Sequence, residues 1–588
     1  MKLPVRFASP EPAIPASSAP FAGRSTVVGV LLVLILVAAG GLRLWRLDSV
    51  PPGAWIDEAI QGLQGAAMRE GEHLPATSHT GYQPMPEWVI PEAIATRLGG
   101  DNLGTIRTPA ALAGILAVAF AFLAGRAVAG PAAGLGAAAF LTGSFWHIQY
   151  CRLALPCVFV VTEGLLAAWL LLGRAVPGLG AGWALAFLCV VAPYGYAASL
   201  ITPVAVILLL AARWRGSPQD RPGRRFILIL AAGMALLAVG IIWWRPQGLL
   251  RTAELAGEHR DPVGVALLAW LKSVAWSSAP SYYYWHNYPP GAPRFSPIEL
   301  VLVAAGAVAL WRSGSLARWQ KWGWTGWALL AVLPELFGGE VPHLSRGLPQ
   351  LAPAAVAAGV AVAALTRRLG RWGPALAILL LAANAGMTTH RLVVKFARDP
   401  LVSRWYLTPD RDAAKWILAQ ASREPVAITP PFAYGKAPVM LFYLSPAVRR
   451  GEIVFTDSQA ERMYPKAIFY EHSSGQPVSV LFDAGKPWKG RRHLLLLYMN
   501  QILENSERAL SAGRLEEALR SYRSIVALLP GSTGARGGLG LTLWRLGRVR
   551  EAIPHLAYAL SCHPEGEAKE VIEDALNRAR AAVPALIR

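Results

Sequence analysis

Cysteine is nearly absent: the 588 residues hold four, Cys151, Cys157, Cys189 and Cys562, with no CxxC pair and no zinc-type spacing. A disulfide framework and a cysteine-built metal cluster are therefore not expected. Acidic residues are also scarce, 36 Asp and Glu against 56 Lys and Arg, which leaves a net charge of +20. In a soluble chain such a surplus would suggest nucleic acid. Here only 16% of residues are charged, 54% are hydrophobic and the mean hydropathy is +0.37. A chain this apolar belongs in a membrane, where a basic surplus sits in cytoplasmic loops, and no nucleic-acid partner is expected. A cleavable leader is the competing reading of the first apolar run and is not the one expected. The uncharged run from Ser25 to Leu42 is longer than a signal core, and Arg43 and Arg46 follow it where small residues would mark a cleavage site. It reads as an uncleaved first span.

What is present is a series of long apolar runs. A span needs about 20 apolar residues, and the clearest are 25–42, 108–125, 127–150, 153–173, 226–244, 347–366 and 372–389. The uncharged stretch 175–212 is too long for one helix and divides at Pro193-Tyr194-Gly195-Tyr196. Weaker runs at 296–311 and 323–338, carrying Glu299 and Glu335, bring the expectation to about eleven transmembrane helices. With the N-terminus inside, the basic turns at Arg126, Arg174, 213–225, 312–321 and 367–371 all fall on the cytoplasmic side. Loops 43–106, 245–295 and 339–346, and everything after Thr389, then lie outside. Function is expected on that face.

The chain divides into a cytoplasmic tail (1–24), a transmembrane domain (25–389), an extracytoplasmic α/β region (390–503) and a helical repeat region (504–588). The α/β reading rests on short β-type runs at 426–429, 453–455 and 478–482. The repeat rests on spacing. Gly513, Glu517, Ala518 and Pro530 recur 34 residues later as Gly547, Glu551, Ala552 and Pro564, which is the tetratricopeptide period, and 567–580 suits a capping helix. Its expected role is to bind a protein partner.

About a dozen residues beyond the first span stands Trp55-Ile56-Asp57-Glu58. A partly desolvated carboxylate at a membrane edge suits general-base work on an acceptor hydroxyl. Alone the pair is equally explained as helix-start acids favouring the macrodipole. The context is more specific: Gly104-Thr105-Ile106-Arg107 at the second span, Ser144 through Arg152 closing the third, Asn287-Tyr288-Pro289-Pro290-Gly291 in the second long outer loop, and Leu333-Pro334 with Val341 through Pro349. In that order and on one face, these segments resemble the GT-C superfamily of polyprenyl-phosphate-sugar transferases, the protein mannosyltransferase (glycosyltransferase family 39) and aminoarabinose transferase branch in particular, over roughly residues 25–400.

The resemblance implies a GT-C membrane fold and inverting transfer of a sugar from a polyprenyl phosphate to an acceptor hydroxyl on a protein, lipid or glycan. It makes Asp57 the catalytic carboxylate and Glu58 an acceptor-orienting group, or with Asp57 a ligand of a divalent metal such as Mg or Mn. A cation should offset charge on the leaving phosphate, and Arg346 and Arg152 are the candidates. Arg107, His147, His343, Asn287 and Glu87 are further substrate-binding candidates, although span-edge arginines also snorkel to headgroups. Glu163, mid-span, should face the bundle interior, for function or for a structural hydrogen bond. A bacterial plasma membrane suits a chain of this kind. A multi-span transporter and a membrane scaffold recruiting partners through its repeats are the alternatives.

Overall fold

The computed structural model describes residues 22–71, 86–173, 175–194, 196–244, 263–275, 293–337, 341–399, 402, 406–429, 438–455, 479–483, 489–528, 532–562 and 567–582. Five helices are long and apolar enough to cross a membrane: Thr26–Leu44, Leu103–Ala129, Ala197–Trp214, Leu344–Arg368 and Trp372–Arg398. Shorter or weaker helices, among them Pro131–Gly143, Phe159–Leu172, Leu179–Val191, Pro297–Arg312 and Arg318–Leu330, pack beside them. Val33, Leu34 and Val37 on the first helix and Ile378 and Leu379 on the last stay uncovered. Apolar surface of that extent is what lipid solvates. It is the surface of an integral membrane protein.

The centre of the bundle is Leu351–Arg368, whose outer neighbours are Pro131–Gly143 and Pro297–Arg312. Small residues let these backbones approach, as membrane packing without a hydrophobic drive requires. A β-carbon on Gly306 would stand 1.8 Å from the Ala357 carbonyl oxygen, and one on Gly359 would stand 2.2 Å from that of Ala133.

The bundle has two distinguishable ends. At one, Arg213 donates to the carbonyls of Leu171, Gly173 and Ala175 at 2.9, 2.7 and 2.7 Å, and Gln320 Nε2 donates to Leu172 O at 2.8 Å. The basic turns at 213–225, 312–321 and 367–371 gather there, with Asp220 as the one carboxylate among the described residues. The opposite end carries the soluble regions. Its first loop folds as helix α2 (Ile56–Arg69) and helix α3 (Pro86–Gly99), between α1 (Ala22–Leu44) and α4 (Leu103–Ala129).

Over α2 sits a small sheet of four strands, β1 (Val426–Thr429), β2 (Ile453–Phe455), β3 (Ser479–Asp483) and β4 (Arg492–Tyr498), in the order β2-β1-β4-β3. β1 runs parallel to β2 and β4, and β3 runs antiparallel to β4. Three of the strands are the runs read from sequence; β4, with its unbroken Leu494–Leu497, was not among them. The helix Pro438–Arg449 beside the sheet lies on α2, with Phe442 against Gly62. Arg449 pairs with Glu70 and Asp101, tying the soluble unit to the first loop.

The last region is a row of helices, Met499–Ser511, Leu515–Leu528, Thr533–Arg545, Val549–Ser561 and Glu567–Ala582. The first two pairs begin 34 residues apart, matching the sequence period, and the first helix starts before residue 504. Gly513 and Gly547 both take φ of +73°, the left-handed turn that glycine reaches without strain, so one residue type recurs because one turn recurs.

Replacing Gly306 with Val should destabilise the bundle by about 1–3 kcal/mol through overpacking, whereas Val37→Leu on a lipid-facing surface should change little. Thermal unfolding of the two variants in detergent checks this; equal stability would contradict the packing.

Candidate active site

The site is assembled from three short pieces at the end that carries the soluble regions. The first is the start of α2. Glu58 closes the helix by accepting the Trp55 backbone N–H at 2.9 Å on Oε2. The same carboxylate takes Arg107 on both oxygens, Nε on Oε1 at 2.7 Å and Nη2 on Oε2 at 2.9 Å, and the Ala154 N–H on Oε1 at 2.9 Å. Two donors reach each oxygen, and the pair is fully buried. Arg107 spends its remaining N–H groups on the carbonyls of Leu47 (3.1 Å), Pro51 (2.9 Å) and Gly53 (2.6 Å). All five of its donors are used. Arg107 and Glu58, both expected at the substrate, instead shape the 47–58 loop, because a buried charge must be paired and its hydrogen bonds filled.

Asp57 is one residue away and behaves differently. It is half-buried, and the Trp55 indole donates to its Oδ2 at 3.3 Å. Its charge reaches Cys157 on the next piece.

The second piece is the turn 152–158 between Phe145–Cys151 and Phe159–Leu172. Arg152 is buried, with one terminal nitrogen on the carbonyls of Leu42 (2.8 Å) and Arg43 (3.2 Å) and the other on Trp45 (2.6 Å), Arg46 (3.3 Å) and Val50 (2.8 Å). It closes the end of α1 and has no terminal N–H for a phosphate. His147 lies deeper. Its Nδ1 meets the Arg43 guanidinium at 2.8 Å, and since arginine only donates, that nitrogen is the acceptor. Nε2 faces Cys151 Sγ at 3.6 Å, so both ring nitrogens are engaged away from the site.

The third piece is the turn Leu344–Gly347, which packs on Pro156–Val158. Trp146 Nε1 donates to Leu344 O at 3.1 Å. A second buried ion pair holds this turn: Arg294 donates to Glu335 through both terminal nitrogens at 2.6 Å, and Glu335 also accepts the His343 backbone N–H at 3.0 Å and Gln350 Nε2 at 2.7 Å. The His343 ring bonds the Ser345 hydroxyl at 3.0 Å, which Tyr196 also reaches at 3.0 Å. Arg346 is half-buried and has no hydrogen-bond or ion-pair partner among the described residues.

Of the predicted residues, Asp57 lies within charge range of Cys157 in the 152–158 turn, and Arg346 is carried by the turn that packs on Pro156–Val158. Glu58, Arg107, Arg152 and His147 are supports. Asn287 lies outside the described residues, and Glu87 is in the first turn of α3 with its side chain outside them. Sequence reasoning missed Arg294 and took Glu335 as an interruption of a weak span; a charge that weakens an apolar run was the signal that it needed a buried partner. Glu163 accepts from Ser199 at 3.3 Å and Thr202 at 2.7 Å, the hydrogen bonds to a neighbouring helix that its depth demands. Among the described residues no group of three His, Cys, Asp or Glu side chains is placed to hold a metal ion.

No family model matches the chain, and no curated protein matches it. Solved structures do. ArnT from Cupriavidus metallidurans in the apo state aligns over 79% of this chain and 94% of its own, at 13% identity and a TM-score of 0.46. The Archaeoglobus fulgidus oligosaccharyltransferase in the apo form aligns over 74% of this chain at 12% identity and a TM-score of 0.42, and this chain spans 65% of its length. Arabinofuranosyltransferase AftD from Mycobacteria aligns over 69% of this chain and 29% of its own, at 17% identity and a TM-score of 0.39. The chemistry available to the site rests on its own residues.

Beside the site, Glu92 of α3 is fully buried, and neither carboxylate oxygen has a hydrogen-bond partner. Burial pushes its pKa well above the usual carboxylate range; the neighbouring Trp88 indole offsets this in part without completing a hydrogen bond. A raised folded pKa means stability present below the unfolded value of 4.5 and lost as pH rises. Glu92→Gln should therefore raise the unfolding temperature at pH 8, with the gain shrinking below pH 4.5; a gain independent of pH would contradict this.

The Glu58–Arg107 pair makes a second prediction. Glu58→Met or Arg107→Met alone should cost about 3–5 kcal/mol, and the double variant distinctly less than their sum. Thermal unfolding of the four proteins completes the cycle; additive costs would mean that the two side chains do not act as a pair.

Proposed function

We propose that the chain is a membrane glycosyltransferase that moves a sugar from a polyprenyl phosphate to an acceptor hydroxyl on the extracytoplasmic side. The observations that support the proposal are a half-buried carboxylate, Asp57, at the start of α2, and an unengaged guanidinium, Arg346, on the turn that packs on Pro156–Val158, both at the end that carries the soluble regions. The end with basic turns, placed in the cytoplasm by its charge, leaves this pair outside in an eleven-span topology.

In the proposed reaction Asp57 removes the acceptor hydroxyl proton as the oxygen attacks the anomeric carbon from the face opposite the phosphate. The bond from that carbon to the phosphate oxygen breaks, and its electron pair leaves with the lipid phosphate. Inversion follows from the single displacement. Arg346 meets the charge that grows on the phosphate, where a fixed cation at a poorly solvated edge stabilises the transition state most. His343 and Ser345 position that turn and line the donor side. A divalent metal, Mg or Mn, would have Asp57 as its carboxylate here, since Glu58 already accepts two donors on each oxygen; no step is assigned to it. The helical repeats, in this proposal a tetratricopeptide unit, recruit a protein acceptor or partner.

Asp57→Asn should abolish transfer while leaving the unfolding temperature within about 1–2 °C, because it removes the base and keeps the shape. Arg346→Ala should lower transfer by about 100-fold. Mass spectrometry of glycans and glycoproteins from cells carrying each form reads both; an unchanged glycan profile with Asp57→Asn sinks the assignment.

A further inference from the structure

A cavity of about 420 Å³ opens at the end of the last membrane helix, lined by Gly386, Met387, His390, Arg391 and Lys395. Three of the five residues are basic types and none is acidic. His390 and Lys395 are exposed and have no hydrogen-bond or ion-pair partner among the described residues. The Arg391 guanidinium lies over the Phe145 ring, 5.3 Å from its centroid; it makes no hydrogen bond among the described residues, and the buried Glu299 carboxylate is within reach of its charge. The backbone is special at the same place: Arg391–Lys395 is a π-helical turn. Hydrogen bonding from i to i+5 sets His390 and Lys395 one turn apart, so the wider helix presents both to one opening.

Basic residues at a helix C-terminus have an ordinary explanation in the macrodipole, and at a membrane edge in snorkelling. Neither explains a cavity between them. Neither accounts for the location, because this is the end opposite the basic turns, where Lys and Arg are normally few. Below the cavity the same helix face is apolar and uncovered: Leu379 is 64% exposed and Met387 46%, with Gly386 leaving open space between. A cationic rim above an apolar track at an interface matches one ligand class, a phosphate carried on a hydrocarbon chain. The guanidinium offers paired donors and the ammonium a point charge to the phosphate oxygens.

We propose that His390, Arg391 and Lys395 form a binding site for the phosphate of a membrane lipid in the outer leaflet, with the lipid chain lying along Met387, Gly386 and Leu379. None of these residues has a role in the proposed transfer, and the Arg391→Ala/Lys395→Ala variant, not retention of polyprenyl phosphate by the wild type, distinguishes this site from Arg346.

The test uses the full chain in neutral detergent and native mass spectrometry. The probes are phosphatidylglycerol, polyprenyl phosphate, diacylglycerol, which lacks the phosphate, and inorganic phosphate. The wild type should retain phosphatidylglycerol or polyprenyl phosphate and release diacylglycerol, and whichever of the two phosphates is held more tightly identifies the resident lipid. The Arg391→Ala/Lys395→Ala variant should bind that lipid about 10- to 30-fold more weakly, given the attraction of each cation for an anionic headgroup. An Arg391→Lys variant should recover part of the loss, separating charge from folding. Equal retention of diacylglycerol, unchanged retention by the double variant, or displacement of the lipid by millimolar inorganic phosphate would each overturn the proposal.

Discussion

Everything at the candidate site depends on the buried contact between Glu58 and Arg107. Removing both charges from water carries a desolvation cost of several kcal/mol per ion, recovered only with close geometry and filled hydrogen bonds. Here the cost is offset in full view: four donors converge on the carboxylate and five acceptors surround the guanidinium. The contact therefore joins the first loop, the second span and the 152–158 turn as one unit. With that unit in place the following helix can begin only at residue 56, and Asp57 has only one direction to face.

The same device holds the other half of the site. Arg294 and Glu335 are buried together, and through His343 and Gln350 they position the turn that carries Arg346. In each case the buried ion pair serves architecture, and another charge, Asp57 beside Glu58 or Arg346 on the turn held by Glu335, stays only half-buried. The soluble unit adds a third restraint. A β-carbon on Gly53 would stand 1.9 Å from the Tyr406 carbonyl oxygen, and Gln149 Nε2 donates to the Tyr406 hydroxyl at 3.2 Å. Burial of Tyr443 in the same interface pushes its pKa up to about 12, so it stays neutral beside Arg107 at physiological pH. The first loop is thus held between membrane helices and sheet domain, which fixes the start of α2 and with it the position of Asp57.

Much of this was legible in the residues and some was not. Apolar runs coincide with the five described helices long and apolar enough to cross a membrane, because burial in lipid demands length and composition that sequence displays directly. The 34-residue period located the helical repeat down to its turn glycines. Short β-type runs located three strands and missed β4, whose Leu-rich pattern reads equally well as buried helix. Asp57 was legible as a carboxylate in the first outer loop and Arg346 as a charge at a span edge.

The chain's own residues determine that it is a helical membrane protein with an acidic first loop and a repeat at its end, since hydropathy, periodicity and charge placement are local properties. Which charge of each pair is spent and which is left available was decided by tertiary structure alone. Asp57 and Glu58, or Arg107, Arg152 and Arg346, are equivalent as letters. They differ in whether carbonyls or a carboxylate from distant parts of the chain converge on them, and that convergence exists only once the helices have packed.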